Sequence, residues 1–450
     1  MNISINNFDF HLKKASDAHC IRDINSYQEN LKKASKILGT IIANGDINLA
    51  LILEIKLYQL IKLEESEENY YEGFREHKNL FFEAGKLISP GNPKTGNLNN
   101  IAFIFNTSAL LGHTEVAISI FKKWRIYFPD INIFYIAMTS SEGKKINSIL
   151  KDLKVNIVTP DIKDDLSPFD LIKWTKQQIE INEIHTAVWV SIPIWVSFIF
   201  GYKIASQQIL WALKFHPVHL GEQIMHIATS KFSHEKYTLI HKCPWLSFVP
   251  PLISDNALIS SEALNETKNK YPKKFIFGTL ARDEKFNSTI FISTIIAILK
   301  KCPNSIYLFS GRKPNQLLID AAKENGLSDR VIFIGWVNTN LYSALLDVFL
   351  ESFPFGCGIT SMQAIKQGTR LVSLWAENTI PRWFFKNTED ASQFKPSWFV
   401  SSDIDDYINN AADLYEIFVK DNLLKKDFYA SLNLSEGEES KNFLRLILKQ

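Results

Sequence analysis

The stretch DVFLESFPFGCGITSMQAIKQGTRLVSL, residues 347–374, decides how the rest of the chain is read. VFLESF is a short apolar run of the kind that forms a buried strand. FPFGCG follows as a loop whose two glycines, Gly356 and Gly358, let backbone approach a ligand closely. A helix then opens at about Thr360, where Thr360 and Ser361 are good N-cap types. It runs through SMQAIK to Gln367 and Gly368, and RLVSL is the next strand. A helix start offers free N–H groups and the positive end of the helix dipole, which together suit an anion. The same pattern, taken alone, is also an ordinary strand–helix turn.

On either side of this stretch the alternation of strand and helix continues. KFIFGTL (274–280), SIYLFSG (305–311) and RVIFIGW (330–336) read as strands. Helical segments 287–302, 315–326 and 339–347 separate them, and 403–433 closes the chain as helices. A Pro- and Ser-rich boundary lies at about 244–266. Before it stands a second block. NIAFIFN (100–106), INIFYIAMT (131–139), VNIVTPD (155–161) and IHTAVWVS (184–191) are strands with helices between them. Strands alternating with helices argue for βαβ units and parallel sheets, and continuous apolar strands fit sheets covered on both faces. Residues 16–88 instead carry apolar residues three and four apart, the helical period, and end in the turn-rich SPGNPKTGN. The expected fold class is α/β, with two Rossmann-like domains facing a cleft behind an N-terminal all-α domain. The expected bounds are 1–95 helical, 96–255 first Rossmann-like (acceptor side) and 256–450 second Rossmann-like with C-terminal helices.

Composition limits the function classes. The chain has 450 residues, 46% hydrophobic, with 50 Lys+Arg against 48 Asp+Glu and a formal charge of +2. It can bury a core, so it is not a disordered chain. A nucleic-acid-binding coat would need a larger basic excess. The longest apolar run, AVWVSIPIWVSFIF (187–200), contains Pro193 and falls short of the about 20 residues of a membrane span, so it reads as a buried strand entering a buried helix. The start MNISINNFDFHLKK has no secretory pattern, and four scattered Cys make no metal or disulfide framework. The expectation is a soluble, cytoplasmic protein without a transmembrane segment or metal.

The second block lacks GxGxxG and GxxxxGK[ST], which disfavours a nicotinamide or P-loop enzyme. It carries GTLARDEKFN (278–287) after its first strand. Arg282 and Lys285 there can hold a diphosphate, Arg bidentately and Lys as a point charge. Two anion sites on one sheet edge make a nucleotide diphosphate a reasonable ligand. In the first block LLGHTEV (110–116) joins a strand to a helix. It offers His113 as a general base, with Glu115 as competitor, or a histidine with no catalytic work.

These segments resemble the donor-binding domain of GT-B glycosyltransferases. Within them the match is to the cytoplasmic adhesin N-glycosyltransferases and the related O-GlcNAc transferases, glycosyltransferase family 41. The resemblance rests on DVFLESFPFG (347–356) with Gln367 and Gly368 beyond it, and on WALKFHPVHLGEQIMH (211–226). It covers roughly 278–407 and, more loosely, 101–251. It implies that Lys285 holds the diphosphate, that Gly356, Gly358, Ile359, Thr360 and Ser361 surround the phosphates, and that Gly335 and Trp336 approach the base. It also implies that Lys214, His216 and His219 line the cleft, with His216 a further candidate catalytic group. Where the family places a ribose-binding acid, this chain has Gln363, which supplies no charge. The implied activity is an inverting, metal-independent transfer of a hexose from a UDP-sugar, UDP-glucose or another UDP-hexose. The implied acceptor is a polypeptide Asn or Ser/Thr. The alternatives are a glycan- or glycolipid-extending hexosyltransferase and a catalytically silent UDP-sugar-binding or scaffold protein.

Overall fold

The computed structural model describes residues 2–20, 23–61, 67–106, 112–139, 144–161, 166–190, 194–212, 220, 224–228, 245–247, 259–376, 379–381, 385, 387–393, 398–421 and 436–448. The chain divides into two compact units. One comprises Met1–Thr229, His234–Phe248 and Gly437–Gln450, the other Ser230–Ser233 and Val249–Glu436.

Unit 1 begins with four helices, α1 (Asn2–Cys20), α2 (Ile24–Ala43), α3 (Ile47–Ile61) and α4 (Glu67–Ile88). Asp23 caps α2 by accepting from Ser26 N at 3.0 Å, which satisfies a donor the helix start cannot. A seven-stranded sheet follows, in the order β3-β2-β1-β4-β5-β6-β7. Its strands are β1 (Asn97–Phe105), β2 (Asn132–Ala137), β3 (Asn156–Val158), β4 (Ile184–Val190), β5 (Gln207–Ala212), β6 (Ile224–Ala228) and β7 (Trp245–Ser247). Every pairing is parallel. The last six residues of β1 are all buried, as a strand covered on both faces requires.

The helices pack directly onto this α/β layer. Gly85 of α4 faces Gly201 of the helix Val196–Tyr202 so closely that a Cβ on either would stand 2.1 Å from a backbone carbonyl opposite. Glu54 of α3 and His77 and Lys78 of α4 form a buried charged cluster. Lys78 Nζ donates to Glu54 Oε1 at 2.6 Å, and His77 Nε2 stands 3.3 Å from the same oxygen. Glu54 Oε2 accepts Trp195 N at 3.2 Å, and Trp195 Nε1 donates to Leu51 O at 3.0 Å. The last helix, Glu436–Leu448, also belongs here, because Phe443 packs on Trp124 and Trp211 and Ile447 O accepts Gln207 Nε2 at 3.2 Å.

Unit 2 holds a six-stranded parallel sheet in the order β10-β9-β8-β11-β12-β13. Its strands are β8 (Phe275–Thr279), β9 (Ser305–Phe309), β10 (Val331–Phe333), β11 (Val348–Leu350), β12 (Arg370–Leu374) and β13 (Trp398–Ser401). Separate apolar clusters cover its two faces, one around Phe277, Ile295 and Leu414, the other around Leu308, Ile365 and Trp398. Among the described residues no helix is long and apolar enough to cross a membrane.

Candidate functional site

The strand orders position the site before any side chain is considered. In unit 2, β8 lies beside β11, while β9 and β10 run out one way and β12 and β13 the other. That reversal is a topological switch point, where open parallel sheets leave a crevice at their carboxyl ends. The segments 280–286 and 351–358 leave β8 and β11 at that place.

Each segment has a local reason for its path. After β8 the chain enters the 3-10 helix Asp283–Phe286, whose Phe286 is buried against Phe309 with ring centroids 5.5 Å apart. This anchor carries Lys285 to the neighbouring loop, where Nζ donates to Gly356 O. Asp347, at the foot of β11, fixes the strand pair by accepting Ile276 N at 2.8 Å. Thr360 Oγ1 donates to Leu280 O at 2.6 Å and so ties the helix start to the end of β8. Lys285, the glycine loop and the start of the helix Ile359–Lys366 therefore converge.

The helix cap differs from the sequence expectation. Its N-cap is Gly358, at φ 57° and ψ −110°, a backbone that glycine alone adopts without strain. Thr360 and Ser361 sit in the first turn instead, because the left-handed cap excludes them and the Thr360 hydroxyl is already used by Leu280 O. The first N–H groups of the helix have no intrahelical partner, and they edge the loop as anion donors. Ser361 Oγ and Gln363 Oε1 are buried with no hydrogen-bond partner among the described residues.

The electrostatics concentrate on Lys285. Burial pushes its ammonium below the ordinary lysine value. Nearby Cys357 draws it back up, Arg282 opposes, and Glu351 and Glu284 assist. Arg282 itself is exposed and pairs with Glu284 at 3.2 Å. The next loops along the edge join the same network. Arg312 N donates to Asp283 Oδ1 at 2.6 Å, and Gly311 N to Gly335 O at 3.2 Å. Gly335, at φ 72°, turns the chain so that Trp336 stands 59% exposed with the Arg312 guanidinium 5.7 Å from its ring centre. An exposed indole at this edge is a stacking surface for a planar ring.

In unit 1 the order is again 3-2-1-4, and β1 and β4 meet at its switch point. His113 opens the helix Gly112–Tyr127 beyond β1, and its ring stacks on Phe105 at 6.2 Å and 16°. Glu115 lies in the same first turn and is partly buried. Lys214, His216 and His219 lie outside the described residues.

Sequence reasoning passed over Glu351, Asp283 and Ser310. Ser310 Oγ accepts Ala281 N at 2.9 Å, and Asp283 holds the next loop. Glu351 is fully buried and accepts two backbone N–H groups. Its only signal was an acid ending an apolar strand, VFLE.

No protein-family model matches the chain, and no curated protein matches it. Solved structures do. An O-GlcNAc transferase variant from Thermobaculum terrenum superposes with a TM-score of 0.59 at 12% identity, covering 99% of this chain and 98% of that one. HepE from Anabaena, solved with UDP and glucose, gives 0.59 at 13% identity over 77% of this chain and 99% of its own. WaaG, a glycosyltransferase of lipopolysaccharide biosynthesis, gives 0.56 at 10% over 77% and 99%. At these identities the likeness is one of fold. With a parallel α/β sheet of 3-2-1-4 order in each unit and helices leading the first, the chain has the GT-B fold of glycosyltransferases.

Proposed function

We propose that the chain is a UDP-sugar-dependent hexosyltransferase that acts on a polypeptide side chain, Asn or Ser/Thr, with inversion and without a metal. The observation that carries this reading is the convergence of Lys285, the loop 353–358 and the helix start at Gly358 on one switch point. HepE, of the same fold, has been solved with UDP-glucose, which supports UDP as the donor nucleotide.

In this reading Lys285 and the N–H groups at the helix start face the diphosphate, and Trp336 offers its indole to the base. The acceptor oxygen or nitrogen bonds to the anomeric carbon from the face opposite the diphosphate. The bond from that carbon to the diphosphate oxygen breaks, and the electron pair stays on the phosphate. Negative charge thus grows where Lys285 and the helix dipole already point, which lowers the barrier more than it tightens ground-state binding. His113 takes the acceptor proton, with Glu115 as the competing base.

A silent UDP-sugar-binding protein is the second reading, favoured by Gln363. A buried amide oxygen without a partner can accept from a ribose hydroxyl but supplies no charge. Incubation of the purified chain with a panel of UDP-sugars and candidate proteins or glycolipids, followed by intact mass spectrometry, separates the readings. A hexose mass added to a polypeptide supports the proposal. Addition to glycolipid alone replaces the acceptor, and UDP binding without transfer supports the silent protein.

A further inference from the structure

Glu351 ends β11 and has no part in the donor chemistry above. Its carboxyl is fully buried. Oε1 accepts Cys357 N at 3.1 Å, from the glycine loop, and Ile380 N at 3.0 Å, from the segment after β12. The backbone of the same residue is held twice, its N–H on Val372 O at 2.9 Å and its carbonyl by Tyr407 Oη at 3.0 Å. One oxygen thus pins a loop residue to a segment 23 positions further along the chain, from Cys357 to Ile380. It also takes the Cys357 N–H out of the set that can reach a ligand. Among the described residues the loop's donors at 358–361 are left as the open ones.

We propose that Glu351 is a positioning residue of the donor site: its carboxyl fastens the glycine loop to the 379–380 segment and places the open N–H groups for the donor diphosphate. The proposal rests on the donor reading of this site. It adds a proton to that reading. Burial raises the Glu351 carboxyl to about 7, against the pull of Ser373, the two N–H groups and Lys285. Among the described residues the groups that face it are the Ser373 hydroxyl of β12, the Lys285 ammonium, the Cys357 thiol and the Tyr407 hydroxyl of the helix Ile404–Asp421. Lys285 alone among them brings positive charge. Below neutrality the carboxyl is neutral and still accepts through its carbonyl oxygen. Above it, a negative charge lies beneath the loop that receives a diphosphate. Binding of the donor therefore takes up a proton, and affinity falls as pH rises.

The test is calorimetric binding of UDP-glucose, whose diphosphate does not titrate between pH 6 and 9, to the full chain. Amide exchange at Cys357 and Ile380 is read in parallel. For wild type the affinity falls roughly tenfold over that range, the effect of a linked displacement of about one pKa unit. Glu351→Gln keeps both accepted N–H groups, so it stays protected at both amides and binds at pH 9 as wild type binds at pH 6. Glu351→Ala loses protection at both amides and binds weakly at every pH. A Glu351→Gln protein that retains the wild-type slope assigns the titration to Lys285 and overturns the proposal. So does a Glu351→Ala protein with wild-type protection. A wild type that binds but shows no pH slope refutes this proposal alone. A wild type that binds no UDP-glucose at any pH refutes the donor reading and this proposal with it.

Discussion

Lys285→Met is the substitution that most directly tests the donor site. Methionine keeps the length and apolar stem of lysine while removing the ammonium, so the 3-10 helix Asp283–Phe286 stays anchored through Phe286. Two effects follow. The hydrogen bond to Gly356 O is lost, and the diphosphate loses a charge-assisted donor. A hydrogen bond to a charged group is worth about 1.5–3 kcal/mol net, or about 10- to 150-fold in Kd for UDP. Negative charge builds on the diphosphate as the electron pair of the breaking bond stays on its oxygen, so kcat falls further, by about 10²–10³, as for other preorganised donors at a developing anion. Calorimetry with UDP and with uridine separates charge from structure. Uridine has no phosphate, so its affinity is unchanged in the variant. If uridine weakens as much as UDP, the substitution acts by loosening the loop, and the assignment of Lys285 to the diphosphate is wrong. A variant that binds UDP within about threefold of wild type, less than 1 kcal/mol, is equally damaging.

Three further outcomes follow from the packing. Glu54→Ala strands the buried Lys78 ammonium and removes the acceptor of Trp195 N, so unit 1 loses about 3–5 kcal/mol in denaturant melts. Glu54→Leu with Lys78→Met recovers most of that, and a double variant as unstable as the single one refutes the uncompensated-charge account. Gly85→Ala drives a Cβ to 2.1 Å from Phe198 O and forces two helices apart, at about 1–3 kcal/mol, and an unchanged melt removes this contact as a constraint. Glu351 has a pKa raised from 4.5 to about 7, so its contribution to stability is full below pH 4.5 and is lost as pH rises through about 7. Glu351→Gln therefore stabilises the chain by about 3 kcal/mol at pH 8 and little at pH 4, and a gain equal at both values contradicts the raised pKa.

The sequence was most legible where the information is local. The glycines at 356 and 358 and the lysine at 285 announce a tight turn and a charge at strand ends, and both are where the strand-helix alternation placed them. Short strands were not legible. IMHIA, which forms β6, follows a stretch punctuated by Pro217 and Gly221, and WLS, which forms β7, sits in a Pro- and Ser-rich boundary. Their identity comes from pairing, His226 with Trp245 and Gln208 with Ile224. WFVS, β13, is the same case. The helix cap misled for the opposite reason. Capping propensity favours Thr360 and Ser361, but a turn at φ 57° overrides propensity and selects Gly358. Glu351 carried only the local signal of an acid ending VFLE, and its second partner, Ile380, stands 29 residues away.

Gln363 gains a physical reading from the same buried neighbourhood. Its side chain is 4% exposed and its Oε1 has no partner among the described residues. A carboxylate in that place would bury an unpaired charge in the unliganded protein, at a cost well above that of an orphan amide oxygen. The helix start already opposes such a cost only weakly, since the dipole effect is confined to the first turn, and Gln363 is its fifth residue. Glu351, just after β11, shows what burial does to a carboxyl in this unit, raising it to about 7. An acid at 363 would face the same pressure, since burial disfavours its charged form. A glutamine offers a permanently neutral acceptor instead. Gln363→Glu therefore weakens the unliganded fold, and any gain in UDP affinity it brings grows as pH rises and the new carboxyl ionises. An affinity gain that is flat with pH would show that residue 363 meets the ligand through shape and hydrogen bonding, with charge playing no part.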